Sequence, residues 1–165
     1  MGGHHAPVRG AKDEWLTPPE VVEACGPFDL DPCSPADRPW PTAKRHLTIH
    51  NDGLVSPWGP DEFVWLNPPY GQQTWKWLDK LAAHPRGGVA LIFARTETAG
   101  FVASVWGKAD ALLFLHGRLF FHHVNGTRAS SNSGAPSVLV AYGADAMVRL
   151  DQCGLPGSYV DGWIR

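Results

Sequence analysis

Asn67, Pro68, Pro69 and Tyr70 stand directly behind the apolar run Phe63-Val64-Trp65-Leu66. Two consecutive prolines fix two φ angles and carry no backbone N–H, so the carbonyls of Asn67 and Pro68 sit on a stiff turn with few internal donors. Rigid acceptors of this kind suit an amino group on an aromatic ring. Its two N–H bonds can go to the Asn67 side-chain carbonyl and the Pro68 backbone carbonyl, which draws the nitrogen lone pair out of conjugation. The lone pair is then free to attack an electrophilic methyl group. The Tyr70 ring offers a face for stacking a base that has left a helix. The plain alternative is a proline turn that closes a strand. With variants and this chain's proline richness allowed for, about 1% of chains of this length carry such a tetrapeptide by chance. Position separates the two readings, because a turn at the end of a buried strand is where open α/β sheets place ligands.

Other segments must deliver partners to that turn. Phe28 to Ser34 reads as a short strand with Asp29 and Asp31 on one face. Acids at a strand's C-terminal end hold a ligand's ammonium or ribose hydroxyls; the alternative is an Asp that caps a turn before Pro32. Upstream, Thr17-Pro18-Pro19-Glu20 to Gly26 carries a helix start and stop, with Thr17 as N-cap, Pro18 at the first position, Glu20 in a capping box and Gly26 as the end. Such an N-terminus suits a carboxylate, and a cap that serves stability alone reads equally well. Residues 62–66 form the strand that feeds the Asn-Pro-Pro-Tyr turn. Gln72 to His84 then places Trp75, Leu78, Leu81 and Ala82 on one helical side, so its tryptophans are expected in the core.

Val89 to Ala94 is a continuous apolar run, as expected of a strand buried on both faces. Arg95, Thr96 and Thr98 follow at its C-terminal end and are candidates for substrate contact, with Thr96 also placed to cap a helix that runs to about Lys108. Two more strands, 111–115 and 137–142, are joined without a helix and predict an antiparallel hairpin at the sheet edge. Between them, Val124 to Pro136 is rich in Gly, Ser, Asn and Thr, includes Arg128, and reads as a mobile loop. His46 to His50 alternates as a strand does, and Asn51-Asp52-Gly53-Leu54 reads as a turn. His46 and His50 would share a metal only on a helix, which their β-branched neighbours oppose, so no metal site is expected.

At 165 residues the chain has the length of one domain, read here as residues 13–165 behind a loose tail of residues 1–12. Its 15 prolines, 18 glycines and 8 tryptophans predict many turns and packed aromatics. The net charge of −2 supplies no global field for nucleic acid, so a DNA or RNA partner requires a local basic patch. Three cysteines, Cys25, Cys33 and Cys153, lack metal spacing and read as reduced, buried thiols in a cytoplasm. No apolar run reaches membrane-spanning length, and Met1-Gly2-Gly3-His4-His5 has no signal-peptide core. A soluble intracellular protein is expected.

Six segments in order resemble the S-adenosylmethionine-dependent DNA N6-adenine methyltransferases of phages and prophages. They are Glu14 to Glu20, Phe28 to Cys33, Asn51 to Leu54, Val64 to Gly71, Ala94 to Thr98 and Gly117-Arg118-Leu119, and they span most of the chain from Asp13 to Gly143. The resemblance implies a compact class I methyltransferase (Rossmann-like) α/β sheet with a C-terminal antiparallel hairpin. It implies S-adenosylmethionine as cofactor, double-stranded adenine-containing DNA as partner and a bacterial host cytoplasm as location. It implies Asn67, Pro68, Pro69 and Tyr70 around the target amine. Cofactor contacts would come from Thr17, Pro18, Asp29, Asp31, Pro32 and Asp52, with Asp52 near the cofactor's adenine. Substrate contacts would come from Arg95, Thr96, Thr98, Arg118 and Arg128, and further phosphate contacts from Lys44 and Arg45. One departure stands out: Ser34-Pro35-Ala36-Asp37 occupies the place of the usual glycine-rich loop. Two other readings use the same residues, methylation of a protein glutamine amide and a Trp- and Pro-rich binding module without catalysis.

Overall fold

The computed structural model describes residues 14–165, so the tail assigned to residues 1–12 lies outside the described residues. In chain order the elements are β1 (Trp15–Leu16), α1 (Pro19–Cys25), β2 (Leu30–Asp31), β3 (Arg45–His46), β4 (Val64–Leu66), α2 (Thr74–Ala83) and β5 (Gly88–Phe93). There follow α3 (Ala99–Phe101), which continues as a π-helical turn over Val102–Trp106, then β6 (Ala111–Leu115), β7 (His122–His123), β8 (Ser137–Tyr142), α4 (Ala144–Gln152) and β9 (Gly157–Asp161).

Seven strands form one sheet in the order β3-β2-β4-β5-β8-β6-β9. β3, β2, β4 and β5 run parallel, and β8 is antiparallel to both neighbours. The period-two alternation of side chains sorts the apolar runs onto two faces. Ala90 and Ile92 of β5 join Val138 and Val140 of β8 under α2 and the π-helical turn, with Leu78, Leu81, Phe101 and Val105. Val89 and Leu91 join Leu139 and Ala141 on the other face, under α1 and α4, with Val22, Ala146 and Leu150. Helices therefore cover both faces, which is why β5 and β8 carry no polar alternation.

The antiparallel pair of β6 and β8 forms, but it is interior. β8 inserts between β5 and β6, and β9 makes the edge. Every residue of β8 is buried, whereas β9 is mostly exposed. The strand expected over residues 28–34 pairs only at Leu30–Asp31, and that over 46–50 only at Arg45–His46. The 124–136 segment, expected as a mobile loop, makes backbone bonds at its base: the N–H groups of His123, Ala129 and Ser133 donate to the carbonyls of Thr127, Phe121 and Leu119. β7 at its root pairs with β1, and the His123 ring lies 4.8 Å from Trp15.

α1 begins one residue later than its sequence implied, with Pro18 at the cap and Pro19 at the first position. No capping box forms, because the cap position falls on Pro18, which has no side-chain acceptor, and the Thr17 hydroxyl accepts from Asn67 instead. In α2 it is Trp77, with Thr74, Leu78 and Leu81, that is buried, while Trp75 is half-buried. α3 is capped by Thr98, whose Oγ1 accepts from the Phe101 N–H; Thr96 has no such role.

Candidate active site

A cleft of about 950 Å³ opens at the C-terminal ends of β2, β4 and β5. The segments at the strand ends make its floor: Pro32 to Pro35 after β2, Asn67 to Tyr70 after β4, and Phe93 at the end of β5. The turn 52–55 forms one rim, and Phe121 with Ala129 and residues 131–133 forms the opposite wall. All four residues of the Asn-Pro-Pro-Tyr turn line the cleft, at the sheet edge where parallel strands present ligands.

Asn67 is oriented from behind. Its Nδ2 donates to Thr17 Oγ1 at 3.2 Å, so its Oδ1 faces no donor among the described residues. The Pro68 carbonyl likewise accepts nothing, while the next carbonyl, that of Pro69, is taken by the Thr74 hydroxyl at 2.7 Å. The turn thus holds two unclaimed acceptors and one that is spent on its own geometry. Tyr70 remains 40% exposed, and its ring rests 4.3 Å from that of Phe93, with one side left for another ring.

The family model for DNA N-6-adenine-methyltransferase (Dam) matches residues 5–147. The chain belongs to that family. No curated protein and no solved structure matches it. Membership in this family implies S-adenosylmethionine as methyl donor and DNA as substrate. The cleft fits such a donor: it has the volume of a cofactor site, is walled by aromatic rings, and carries the carboxylates of Glu14 and Asp52. Trp77 lines it at 6% exposure, with an indole N–H that has no partner among the described residues.

The other residues singled out in the sequence differ in where the fold places them. Pro32 and Asp52 line the cleft. Asp31 is 3% exposed and does not: its carboxylate accepts from the Thr42 hydroxyl and from the Cys33 N–H at 3.1 Å, and so shapes the loop that does. Thr17 does not line the cleft and touches it only through its hydrogen bond from Asn67. Asp29, expected at the cofactor, lies away from the cleft because it accepts from the Phe63 N–H at 2.9 Å and pairs with Lys44. Lys44 and Arg45, expected at phosphates, are committed to ion pairs with Asp29 and Glu62. Pro18 lines a separate, smaller pocket with Arg118, His122 and Arg128, where the Arg128 guanidinium sits 4.1 Å over the Phe120 ring. Arg95 is exposed above Phe93, Thr96 gives its carbonyl to Trp106, and Thr98 caps α3.

His46 is tied into its own loop. Its Nε2 accepts from the Thr42 N–H at 3.2 Å, which requires the neutral ring, and burial pulls its pKa down to about 4. Among the described residues no group of His, Cys, Asp and Glu could hold a metal ion, and no helix is long and apolar enough to cross a membrane. Of the three free thiols, Cys25 is buried, whereas half-buried Cys33 lines the cleft. Trp77 and Phe121 carry no functional signal in the sequence, and residues 131–133 are marked there only as part of a loop. Trp77 reads as core, and Phe121 and residues 131–133 flank the β7 strand that pairs with β1.

Two outcomes are expected from this geometry. In Thr17→Val, Asn67 loses the acceptor that fixes its amide, so kcat should fall about tenfold, the loss of one charge-free orienting hydrogen bond, while cofactor affinity stays within about twofold. A flip-tolerant site would show unchanged kcat.

Burial pushes the Asp31 carboxyl up to about 6, against the two hydrogen bonds that oppose it. The folded value exceeds the unfolded value of about 4, so this group's contribution is fully present below about pH 4 and is lost as pH rises through about 6. At pH 7 the buried charge therefore costs roughly 3 kcal/mol. Asp31→Asn removes that cost and keeps an acceptor for the loop. Its Tm relative to wild type should climb between pH 4 and pH 7; a constant difference would show that Asp31 is not perturbed.

Proposed function

We propose that this protein transfers a methyl group from S-adenosylmethionine to N6 of an adenine flipped out of double-stranded DNA. The observation that carries the reading is the pair of acceptors unclaimed among the described residues, Asn67 Oδ1 and the Pro68 carbonyl, on one proline-stiffened turn that lines the cleft. An exocyclic amine has two N–H donors, and these acceptors take both. Donation to them localises the nitrogen lone pair, and the proline turn holds the geometry without reorganisation. Tyr70, braced by Phe93, stacks the base and offsets the few kcal/mol that flipping costs.

S-adenosylmethionine, when bound, supplies a methyl group activated on a sulfonium. Pro32, Asp52 and Glu14 would hold it, with Asp31 fixing the loop that carries Pro32 and Cys33. The alternation of strands and helices together with the antiparallel β6–β8 pair supports a class I arrangement of the sheet. Arg95, Arg118 and Arg128 make no ion pair among the described residues, and they would supply the local positive charge that the net charge of −2 does not. The protein would act in the cytoplasm of a bacterial host.

The test is methyl transfer from labelled S-adenosylmethionine to unmethylated duplex DNA, with nucleoside analysis of the product and Asn67→Ala as control. N6-methyladenine that vanishes in the variant is the expected result. Unlabelled DNA with bound cofactor would overturn the substrate, and label in glutamine of an added protein would replace it.

A further inference from the structure

Lys80 projects from α2 on the same side as Trp77, one turn away from it. Its ammonium carries three N–H donors, and all three are spent on one turn: Nζ donates to the carbonyls of Gly53, Leu54 and Ser56 at 3.0, 2.9 and 2.7 Å. It forms no ion pair among the described residues. The ring of Trp58 lies beneath it, with Nζ 4.6 Å from the centroid, and the Trp58 indole N–H donates to the same Gly53 carbonyl at 2.9 Å. Three backbone carbonyls converge on one point, and a lysine charge stands there to satisfy them.

The clamped turn is a wall of the cleft: Asp52, Gly53, Leu54 and Val55 all line it. Asp52 is held at φ 49°, the left-handed region that side chains seldom adopt. Its carbonyl accepts from the N–H groups of Val55 and Ser56, and its Oδ1 accepts from Leu54 at 3.2 Å. Gly53 is wedged against the loop after β2, since a Cβ there would stand 2.0 Å from the Pro32 carbonyl oxygen and 2.9 Å from Trp77. Without the cation, three carbonyl dipoles would point at each other across an empty site, and the turn would relax away from Pro32.

We propose that Lys80 is a positioning residue for cofactor binding: it locks the 52–56 turn in the conformation that presents Asp52 to the cleft. The inference rests on the assignment of this cleft to S-adenosylmethionine. The mechanism is pre-organisation, so its loss should appear in affinity and leave the chemistry at the Asn67 turn unchanged.

Titration calorimetry with S-adenosylmethionine, paired with initial rates on duplex DNA, tests this in wild type and in Lys80→Met, Lys80→Arg and Trp58→Phe. Lys80→Met should raise the cofactor Kd and KM at least tenfold, with kcat at saturating cofactor within about twofold and the Kd for DNA unchanged. Lys80→Arg, which keeps the charge and several donors, should recover part of the affinity. Trp58→Phe keeps the ring beneath the ammonium and removes one bond to Gly53, so a loss of about threefold is expected, and this variant decides the matter if Lys80→Met does not fold. Wild-type Kd in both Lys80→Met and Trp58→Phe would overturn the clamp while leaving the cofactor site intact, as would a loss confined to kcat. No cofactor binding by the wild-type protein would overturn the site itself and the clamp with it.

Discussion

Asn67→Ala is expected to lower kcat about a thousandfold, the scale set by removing one pre-organised group that acts on the reacting atoms, while the cofactor Kd stays within about twofold. The reason is geometric. Asn67 turns its Nδ2 toward Thr17 and leaves its Oδ1 without a donor among the described residues, so under the proposed function the side chain serves the target amine and not the methyl donor. Alanine leaves the Pro68 carbonyl as the one acceptor for two N–H donors, and the lone pair stays conjugated. The cost in stability is small, about 1 kcal/mol for the buried Thr17 hydroxyl left without its donor, or about 2–4 °C in Tm. Asn67→Asp retains an acceptor on the cleft side and should fall between wild type and alanine. Single-turnover rates with saturating cofactor separate chemistry from binding; a variant that lost cofactor affinity and kept its rate would remove Asn67 from the amine.

The second large effect is expected at a glycine with no chemistry of its own. Gly88 opens β5 in direct register with Val64 of β4, and a Cβ there would lie 2.2 Å from the Val64 carbonyl oxygen and 2.9 Å from the Val64 Cβ. Both neighbours are fixed, one as ladder backbone and the other as a β-branched side chain in the core, so neither can rotate away. Gly88→Ala must therefore part β4 from β5. At least about 3 kcal/mol is expected, in the upper range for overpacking, which corresponds to a fall of about 6–12 °C in Tm for a chain of this size. Because β4 runs straight into Asn67, methyl transfer should drop at temperatures where the protein is still folded. A Tm within 2 °C of wild type would show that the ladder yields without cost.

Local chemistry is legible in the order of the residues. The Asn67-Pro68-Pro69-Tyr70 turn, its place behind a buried strand, the continuous apolar runs of β5 and β8, and the turn at Asn51 to Leu54 are set by proline geometry, by apolar patterning and by turn residues, all of which act within a few positions of chain. What those residues meet depends on the folded chain. Thr17 has the sequence of a helix cap, yet it lies 50 positions from Asn67 and fixes its amide, because a buried hydroxyl takes the strongest partner the fold brings to it. Asp29 and Asp31 look alike in sequence. The Phe63 N–H and Lys44 claim the first, Thr42 and the Cys33 N–H claim the second, and neither side chain lines the cleft. Lys80 reads as a solvated charge on the polar side of a helix, and only the approach of the 52–56 turn gives its ammonium three carbonyls. β9 takes the edge expected for β8 because a fully buried, mostly apolar strand is most stable paired on both sides, and a half-polar one can face water. Long-range hydrogen bonds and strand order depend on which surfaces pair in three dimensions, and no spacing along the chain records that choice.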